Sequence, residues 1–241
     1  MNVSIIIPAH NEERAIGATL RGLVTGVGTS CEIIVVADHC TDHTEELVES
    51  TKTSYPIHLM RNTRGKGFGN ALITGFEQAQ GTAVVPVMAD TCDDPRTIEQ
   101  MYRALEREHA DVVCASRYME DGKKIGGPWL QDKLSRLVCF SLRLFTGIPT
   151  SDAANSFKMY RRTFLKMIGF EIESAGTEYS MALLFRAYRA GGKIIEIPTT
   201  WRGKTMSASK ELYILRRFPG YWKRIREALS SKMIDRSTHK K

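Results

Sequence analysis

Three clusters of acidic and amide side chains each follow a short apolar run. Asn11, Glu12 and Glu13 come after Val3 to Ile7. Asp38 and Asp42 follow Glu32 to Val36. Asp90, Asp93 and Asp94 follow Ala83 to Val87. Carboxylates gathered at one edge repel each other unless they bind cations or hydrogen-bond donors. Asp90 and Asp93 have the chemistry of a hard-cation site. Mg²⁺ or Mn²⁺ takes a few carboxylates, keeps waters, and completes its shell with phosphate oxygens. A nucleoside diphosphate supplies those oxygens, and the ion stabilises charge developing on a diphosphate leaving group. Asp42 and the Asp94-Pro95 pair also suit plain helix caps. His39, Cys40 and His43 lack the four N or S ligands of a structural zinc site.

A second element of possible chemistry is Arg64-Gly65-Lys66-Gly67-Phe68-Gly69. Glycines allow close backbone approach, and a helix N-terminus favours anions, so Lys66 is a candidate phosphate contact. The stretch is neither a Walker A motif nor a dinucleotide fingerprint.

These groups need a scaffold that brings them together. The unalternating apolar runs Val3 to Ile7, Glu32 to Val36, Ala83 to Val87 and Asp111 to Ala115 read as strands buried on both faces of a parallel sheet. Helical stretches fall between them, at about 13–24, 44–51, 69–80 and 96–108. Strand–helix alternation implies a doubly wound α/β fold, in which ligands bind beyond the carboxyl ends of the strands. Pro86 marks a bulge, or a place where the strand needs no N–H partner. After Tyr118 comes a loop over 121–128, then an apolar-rich helix over 129–145. A short strand follows at 156–160, a helix over 178–190, a strand over 193–200 and a polar loop over 203–210. The division expected is one domain over 1–210, with a nucleotide-binding half (1–118) and an acceptor-binding half (119–210). A basic amphipathic extension occupies 211–241.

Composition narrows the class. At 241 residues, 42% hydrophobic and 25% charged, the chain reads as globular rather than disordered or fibrous. It has no run of about 18 apolar residues for a membrane span, and its opening is unlike a signal peptide. Five scattered cysteines suit reduced thiols. All of this reads as cytoplasmic. The net charge of +7 is uneven: residues 201–241 hold 12 Lys/Arg against 3 Asp/Glu. Arg216, Arg217, Lys223, Arg224 and Arg226 border an apolar stripe of Phe218, Trp222, Ile225, Leu229 and Met233, a pattern that can lie in a membrane interface.

Ile5-Ile6-Ile7-Pro8-Ala9-His10-Asn11-Glu12, Val35-Val36-Ala37-Asp38 and Met88-Ala89-Asp90 resemble family 2 glycosyltransferases of the GT-A fold. Further matching stretches begin at Arg61, Ala115, Ser151 and Glu196, in order, over about 1–217. Together they are similar to the dolichol- and polyprenyl-phosphate sugar synthase branch. The resemblance implies that Pro8, Ala9, Asn11, Glu12 and Ala89 line the nucleotide pocket. It implies that Asp38 accepts hydrogen bonds from the base, and that Asp90 is the carboxylate of a DXD-like metal motif. Arg117, Arg202, Ser209 and Lys210 would hold donor or acceptor phosphates. Lys133, Ser135 and Arg136 would hold the acceptor phosphate, since a lipid phosphate needs cations beside an apolar surface. Two positions depart from the family pattern. Ala37 and Met88 stand where a first acid is common, which implies weaker ligation or a shift to Asp93.

The expected reaction is inverting transfer of a sugar from a nucleoside-diphosphate sugar to a polyprenyl phosphate, with Mg²⁺ or Mn²⁺. A phosphate monoester is already a nucleophile at neutral pH. A hydroxyl acceptor would instead need a base, for which Asp152 or Glu178 are the candidates. The basic C-terminal end, or a separate membrane partner protein, would bring the enzyme to its lipid. Two rival readings are a sugar nucleotidyltransferase and a basic nucleic-acid-binding protein. The second leaves the strand-end carboxylates unexplained, so no nucleic acid is expected.

Overall fold

The computed structural model describes residues 1–127, 129–172 and 176–203. Ser209, Lys210 and the extension over 211–241 lie outside the described residues.

The first half alternates as its apolar runs predict: β1 (Val3–Ala9), α1 (Ile16–Gly26), β2 (Cys31–Ala37), α2 (Thr44–Ser50), β3 (Ile57–Arg61), α3 (Phe68–Gln78), β4 (Ala83–Pro86), α4 (Arg96–Arg107) and β5 (Val112–Ser116). The second half holds β6 (Lys123–Ile125), α5 (Trp129–Thr146), β7 (Lys158–Arg161), α6 (Arg162–Ile168), α7 (Tyr179–Arg189), β8 (Ile194–Pro198) and β9 (Thr200–Arg202). The main sheet runs β3-β2-β1-β4-β7-β5-β8, and β6 pairs with β9 apart from it. All pairings in the main sheet are parallel except those of β7, which is antiparallel to β4 and β5. This is the α/β, mostly parallel architecture that the alternation implied.

Strands β1, β2, β4 and β5 are buried on both faces, and adjacent residues feed separate cores. Val3, Ile5 and Ile7 pack with α1 and α4, while Ile6, Ile34 and Val36 pack with α3 and α7. At Gly75 of α3 an added Cβ would lie 2.3 Å from Ile6 Cγ2, so only glycine lets the helix sit this close to the sheet. Pro86 needs no N–H partner. The Ala83 and Val87 amides point to β1, on Asn2 O and Ile6 O, so Pro86 faces the other side. There β7 pairs only with Ala83 and Val84.

Three elements depart from expectation. β3 is an edge strand, half exposed, without a continuous apolar run. β6 stands where the sequence reads as loop, because three residues with two lysines carry no strand signal. α6 was not foreseen. The direction of β7 has the largest consequence for function. Because it runs antiparallel, the segment entering it, residues 151–157, lies at the same rim as the carboxyl ends of the parallel strands.

Candidate active site

The turns after β1 and β2 are locked to each other. Asp38 N–H donates to Ala9 O at 2.7 Å, and a His10 ring nitrogen lies 2.7 Å from Asp38 O. Thr41 N–H donates to Asn11 Oδ1 at 2.8 Å, and Glu12 N–H donates to Thr44 Oγ1 at 2.8 Å. Asp42 accepts from Glu13 N–H and from the Thr44 amide and hydroxyl, which is a bracing role. The Asp38 carboxylate is buried and already engaged. It accepts from Asn62 Nδ2 at 2.7 Å and from Gly67 N–H at 2.9 Å. Gly67 precedes the first residue of α3, so Asp38 fills the anion position that the glycine-rich stretch suggested for a phosphate. Lys66 is exposed beside it.

The turn after β4 carries Ala89, Asp90 and Asp93. Thr19 Oγ1 holds Ala89 O at 2.7 Å. Asp90 accepts from Cys92 N–H through Oδ1 at 3.0 Å and stays half-exposed. Asp93 departs from its expected role as a metal ligand. It is buried, it accepts from Met88 N–H at 3.2 Å, and burial pushes its carboxyl up to about 7. It therefore braces the turn, and Asp90 is the carboxylate presented outward. Asp94 accepts from Arg96 N–H at the start of α4, as a cap would. Asn11, His39 and Thr91, one in each of these three turns, have φ of 56°, 55° and 66°. Left-handed backbone is uncommon outside glycine, above all at a β-branched residue such as Thr91. The turns bearing Asp38 and Asp90 leave strands separated by β1 alone, about 10 Å apart at ordinary strand spacing.

Across the rim stands a different construction. Arg117 leaves the end of β5 and meets Asp152, which precedes β7. Its Nε and Nη2 donate to the two carboxylate oxygens at 2.7 and 2.8 Å, and its backbone N–H adds a third bond at 3.0 Å. The Asp152 side chain is 0% exposed and that of Arg117 12%. Despite this burial, the Asp152 charge holds the guanidinium well above its ordinary pKa. Asp152 thus positions Arg117, and the expectation that it could act as a base is corrected: both its oxygens are committed. Arg117 lies 4.9 Å from the Tyr118 ring and 5.9 Å from the Trp201 ring. Lys124 lies 5.4 Å from Trp201 and 3.2 Å from Asp132 Oδ1, and burial lowers its pKa. Arg136 donates to Asp132 and stacks 4.4 Å from Tyr118. Beneath them Lys158 Nζ donates to the carbonyls of Ala153 and Asn155, while Glu196 accepts from Ser151 N–H at 2.6 Å.

A model of glycosyl transferase family 2 matches residues 4–169. The chain belongs to this family. It is 29% identical over 213 residues to an undecaprenyl-phosphate mannosyltransferase of Micrococcus luteus, covering 87% of each chain. It is 27% identical to a dolichol-phosphate mannosyltransferase of Pyrococcus furiosus, covering 87% of this chain and 59% of that one. It therefore spans little more than half the length of the archaeal relative. Among solved structures, glucosyl-3-phosphoglycerate synthase from Mycobacterium tuberculosis, in complex with Mn²⁺, UDP and glucosyl-3-phosphoglycerate, aligns with a TM-score of 0.74 at 17% identity, over 95% of this chain and 80% of that one. Residues 1–349 of S. aureus TarS align with a TM-score of 0.63 at 21% identity, over 85% of this chain and 60% of that one. These likenesses carry the fold, which is that of GT-A glycosyltransferases.

Within this glycosyltransferase, Pro8, Ala9, Asn11, Glu12, Asp38, Ala89 and Asp90 come to one side of the rim. Arg117, Asp152 and Arg136 come to the other. Arg202 is tied to the turn that carries Asp90, since its N–H donates to Cys92 O at 2.9 Å. Lys133 is exposed, about one turn before Arg136 on α5, and Ser135, next to Arg136, is half-buried. Glu178 stands just before α7, half-buried. Tyr118, Lys124, Asp132 and Trp201 join the cluster without having been singled out by role. Tyr118 and Trp201 lay inside the matching stretches, but Lys124 gave no signal in a segment that reads as loop.

Proposed function

We propose that the chain transfers a sugar from a nucleoside-diphosphate sugar to a polyprenyl phosphate or similar lipid-linked phosphate, with inversion at the anomeric carbon. One observation carries the reading. The buried Arg117–Asp152 pair and its ring of cations and aromatics share a rim with the Asp38 and Asp90 turns, bordered by the apolar helix α5. The nucleotide belongs beside Pro8, Asn11, Glu12 and Asp38, and the acceptor phosphate beside Arg117, Arg136 and Arg202. A phosphate monoester has a second pKa of about 6 and is dianionic at neutral pH. It attacks the anomeric carbon as the bond to the diphosphate breaks on the opposite face. No base is required, which agrees with Asp152 being fully engaged by Arg117.

No group of three or more His, Cys, Asp or Glu side chains is gathered for a metal among the described residues. The half-exposed Asp90 fits a Mg²⁺ or Mn²⁺ ion that draws its other ligands from diphosphate and water. Such an ion, when bound, supplies positive charge against the leaving diphosphate. The domain division at 210, a cytoplasmic-face location and membrane attachment through 211–241 complete the reading. Among the described residues no helix is long and apolar enough to cross a membrane.

The test is a screen of labelled nucleotide sugars against polyprenyl phosphate, the dephosphorylated polyprenol and 3-phosphoglycerate. Label on polyprenyl phosphate alone is the expected result. Label on a hydroxyl acceptor would overturn the reading and direct the search for a base to Glu178. Release of pyrophosphate would mark a nucleotidyltransferase instead.

A further inference from the structure

The segment that carries Asp152 is an irregular turn inside the protein. Thr150, Asp152, Ala153 and Asn155 are all buried, yet they belong to no helix or strand. Connecting segments ordinarily run over the surface, because buried backbone N–H and C=O groups must find partners. Here two charged side chains supply them. Ahead of Asp152, Glu196 Oε2 accepts from Ser151 N–H at 2.6 Å and from the Thr150 hydroxyl at 3.1 Å. Behind it, Lys158 Nζ donates to Ala153 O at 3.1 Å and to Asn155 O.

Both side chains rise from one row of the sheet. Lys158 of β7 and Glu196 of β8 are each partnered with Cys114 of β5, the strand between them. Partnered residues share a face, so both charged ends reach the same turn. The carboxylate takes donors on one flank of Asp152, and the ammonium takes acceptors on the other. Lys158 is the more telling of the two. Its side chain is fully buried, its Nζ is bonded to carbonyl oxygens rather than to a carboxylate, and burial lowers its pKa. A buried ammonium is costly, and methionine would fill similar space without that cost. Methionine could not hold the two carbonyls.

The geometry points to Lys158 and Glu196 as positioning residues for Arg117: they fix the Asp152 turn from both flanks, and with it the carboxylate to which the guanidinium is bonded. This rests on the reading in which Arg117 takes the acceptor phosphate. Arg117 commits Nε and Nη2 to Asp152, so the donors left for a substrate, those of Nη1 above all, follow that carboxylate as one rigid fork.

The experiment is exchange of the Arg117 Nε proton with solvent, read in nitrogen–proton correlation spectra of the full chain and assigned by its loss in Arg117→Lys. In Lys158→Met and in Glu196→Leu the proton should exchange about tenfold faster or more, the scale of one lost hydrogen bond to a charged group. Glu196→Gln keeps an oxygen for Ser151 N–H and should stay within about threefold of the parent. Sugar transfer gives a second reading. KM for polyprenyl phosphate should rise about tenfold in the first two variants, while KM for the nucleotide sugar stays within about twofold. A merely structural role would lower the folded fraction and leave both KM values and the Nε proton unmoved. A proton that exchanges as in the parent in both folded variants overturns the proposal; should Lys158→Met not fold, Glu196→Leu decides alone. Faster exchange in the variants, with no transfer to a phosphate acceptor by the parent, sinks the function reading and leaves the positioning role standing.

Discussion

The two sides of the rim are built by different physics. On the donor side, turns after β1, β2 and β4 are fixed by backbone amides and by short polar side chains, with three residues in left-handed conformation. On the acceptor side, Arg117, Asp152, Lys124, Asp132 and Arg136 are fixed by ion pairing and by stacking on Tyr118 and Trp201. A rim held by backbone keeps its shape when one charge is removed. A rim held by a buried ion pair does not, because loss of either partner leaves the other uncompensated in a medium that solvates it poorly.

The largest effect should therefore come from Asp152. Asp152→Ala leaves the Arg117 guanidinium buried without its counter-charge and should destabilise the fold by about 3–5 kcal/mol. The denaturant midpoint reads this directly. An Arg117→Met/Asp152→Leu double variant should recover much of that stability while sugar transfer stays absent. If Asp152→Ala unfolds like the parent, the acceptor side is not held in the way described.

Asp93 offers the next test, on the donor side. Its carboxyl is pushed up to about 7 by burial, while in the unfolded chain it ionises near 3.8. Between those values the folded state holds a proton that the unfolded state has released. This contribution is present in full below the unfolded value, and it is lost as pH rises through about 7. The metal-free parent should thus lose stability from this group across that window, by no more than about 4 kcal/mol. Asp93→Asn, which is neutral like the protonated carboxyl, removes the slope, so the two stabilities should lie closest at acid pH and diverge most at pH 8. Parallel pH profiles would show that Asp93 is not the buried brace it is taken for.

Asp90→Asn separates charge from shape. Asparagine keeps the Oδ1 that accepts from Cys92 N–H. Stability should change by less than about 0.5 kcal/mol, as at most surface positions. Sugar transfer should fall about a hundredfold, the scale of losing one preorganised electrostatic contact. Calorimetry of UDP and GDP binding with and without Mn²⁺ should show the metal-dependent gain disappear. A metal-dependent affinity equal to the parent's would remove Asp90 from the donor site.

The same contrast explains what could be read from the sequence. The strands β1, β2, β4 and β5 are continuous apolar runs, and polar residues just beyond them must fall at the carboxyl edge of a parallel sheet. Asn11, Asp38 and Asp90 were therefore legible. The acceptor side was not, because its contacts join residues far apart in sequence. Arg117 meets Asp152 across 35 positions and Trp201 across 84, and nothing local at either end announces the other. Asp152 is visible in the sequence as a carboxylate, and so as one candidate base for a hydroxyl acceptor, but not as a buried partner of Arg117. Lys124 was hidden in a three-residue strand whose existence depends on β9. Asp93 could not be told from Asp90, since spacing alone does not say which carboxylate turns inward.

The smallest effect sharpens the donor side of the contrast. Thr91 is β-branched and holds φ of 66°, with its hydroxyl donating to Asp90 O. Left-handed backbone at such a residue costs about 1 kcal/mol or more relative to one that tolerates it. Asparagine tolerates it better and adds little freedom to the unfolded chain, so Thr91→Asn should stabilise the protein by about 0.5–1 kcal/mol. It should also weaken donor binding a few-fold, because the hydroxyl that holds the Asp90 carbonyl is lost and the turn relaxes. A rise in melting temperature joined to a fall in nucleotide affinity is the signature of strain kept for a binding site. If the variant melts lower, the hydroxyl bond outweighs the strain, and the donor turns are held by side chains after all.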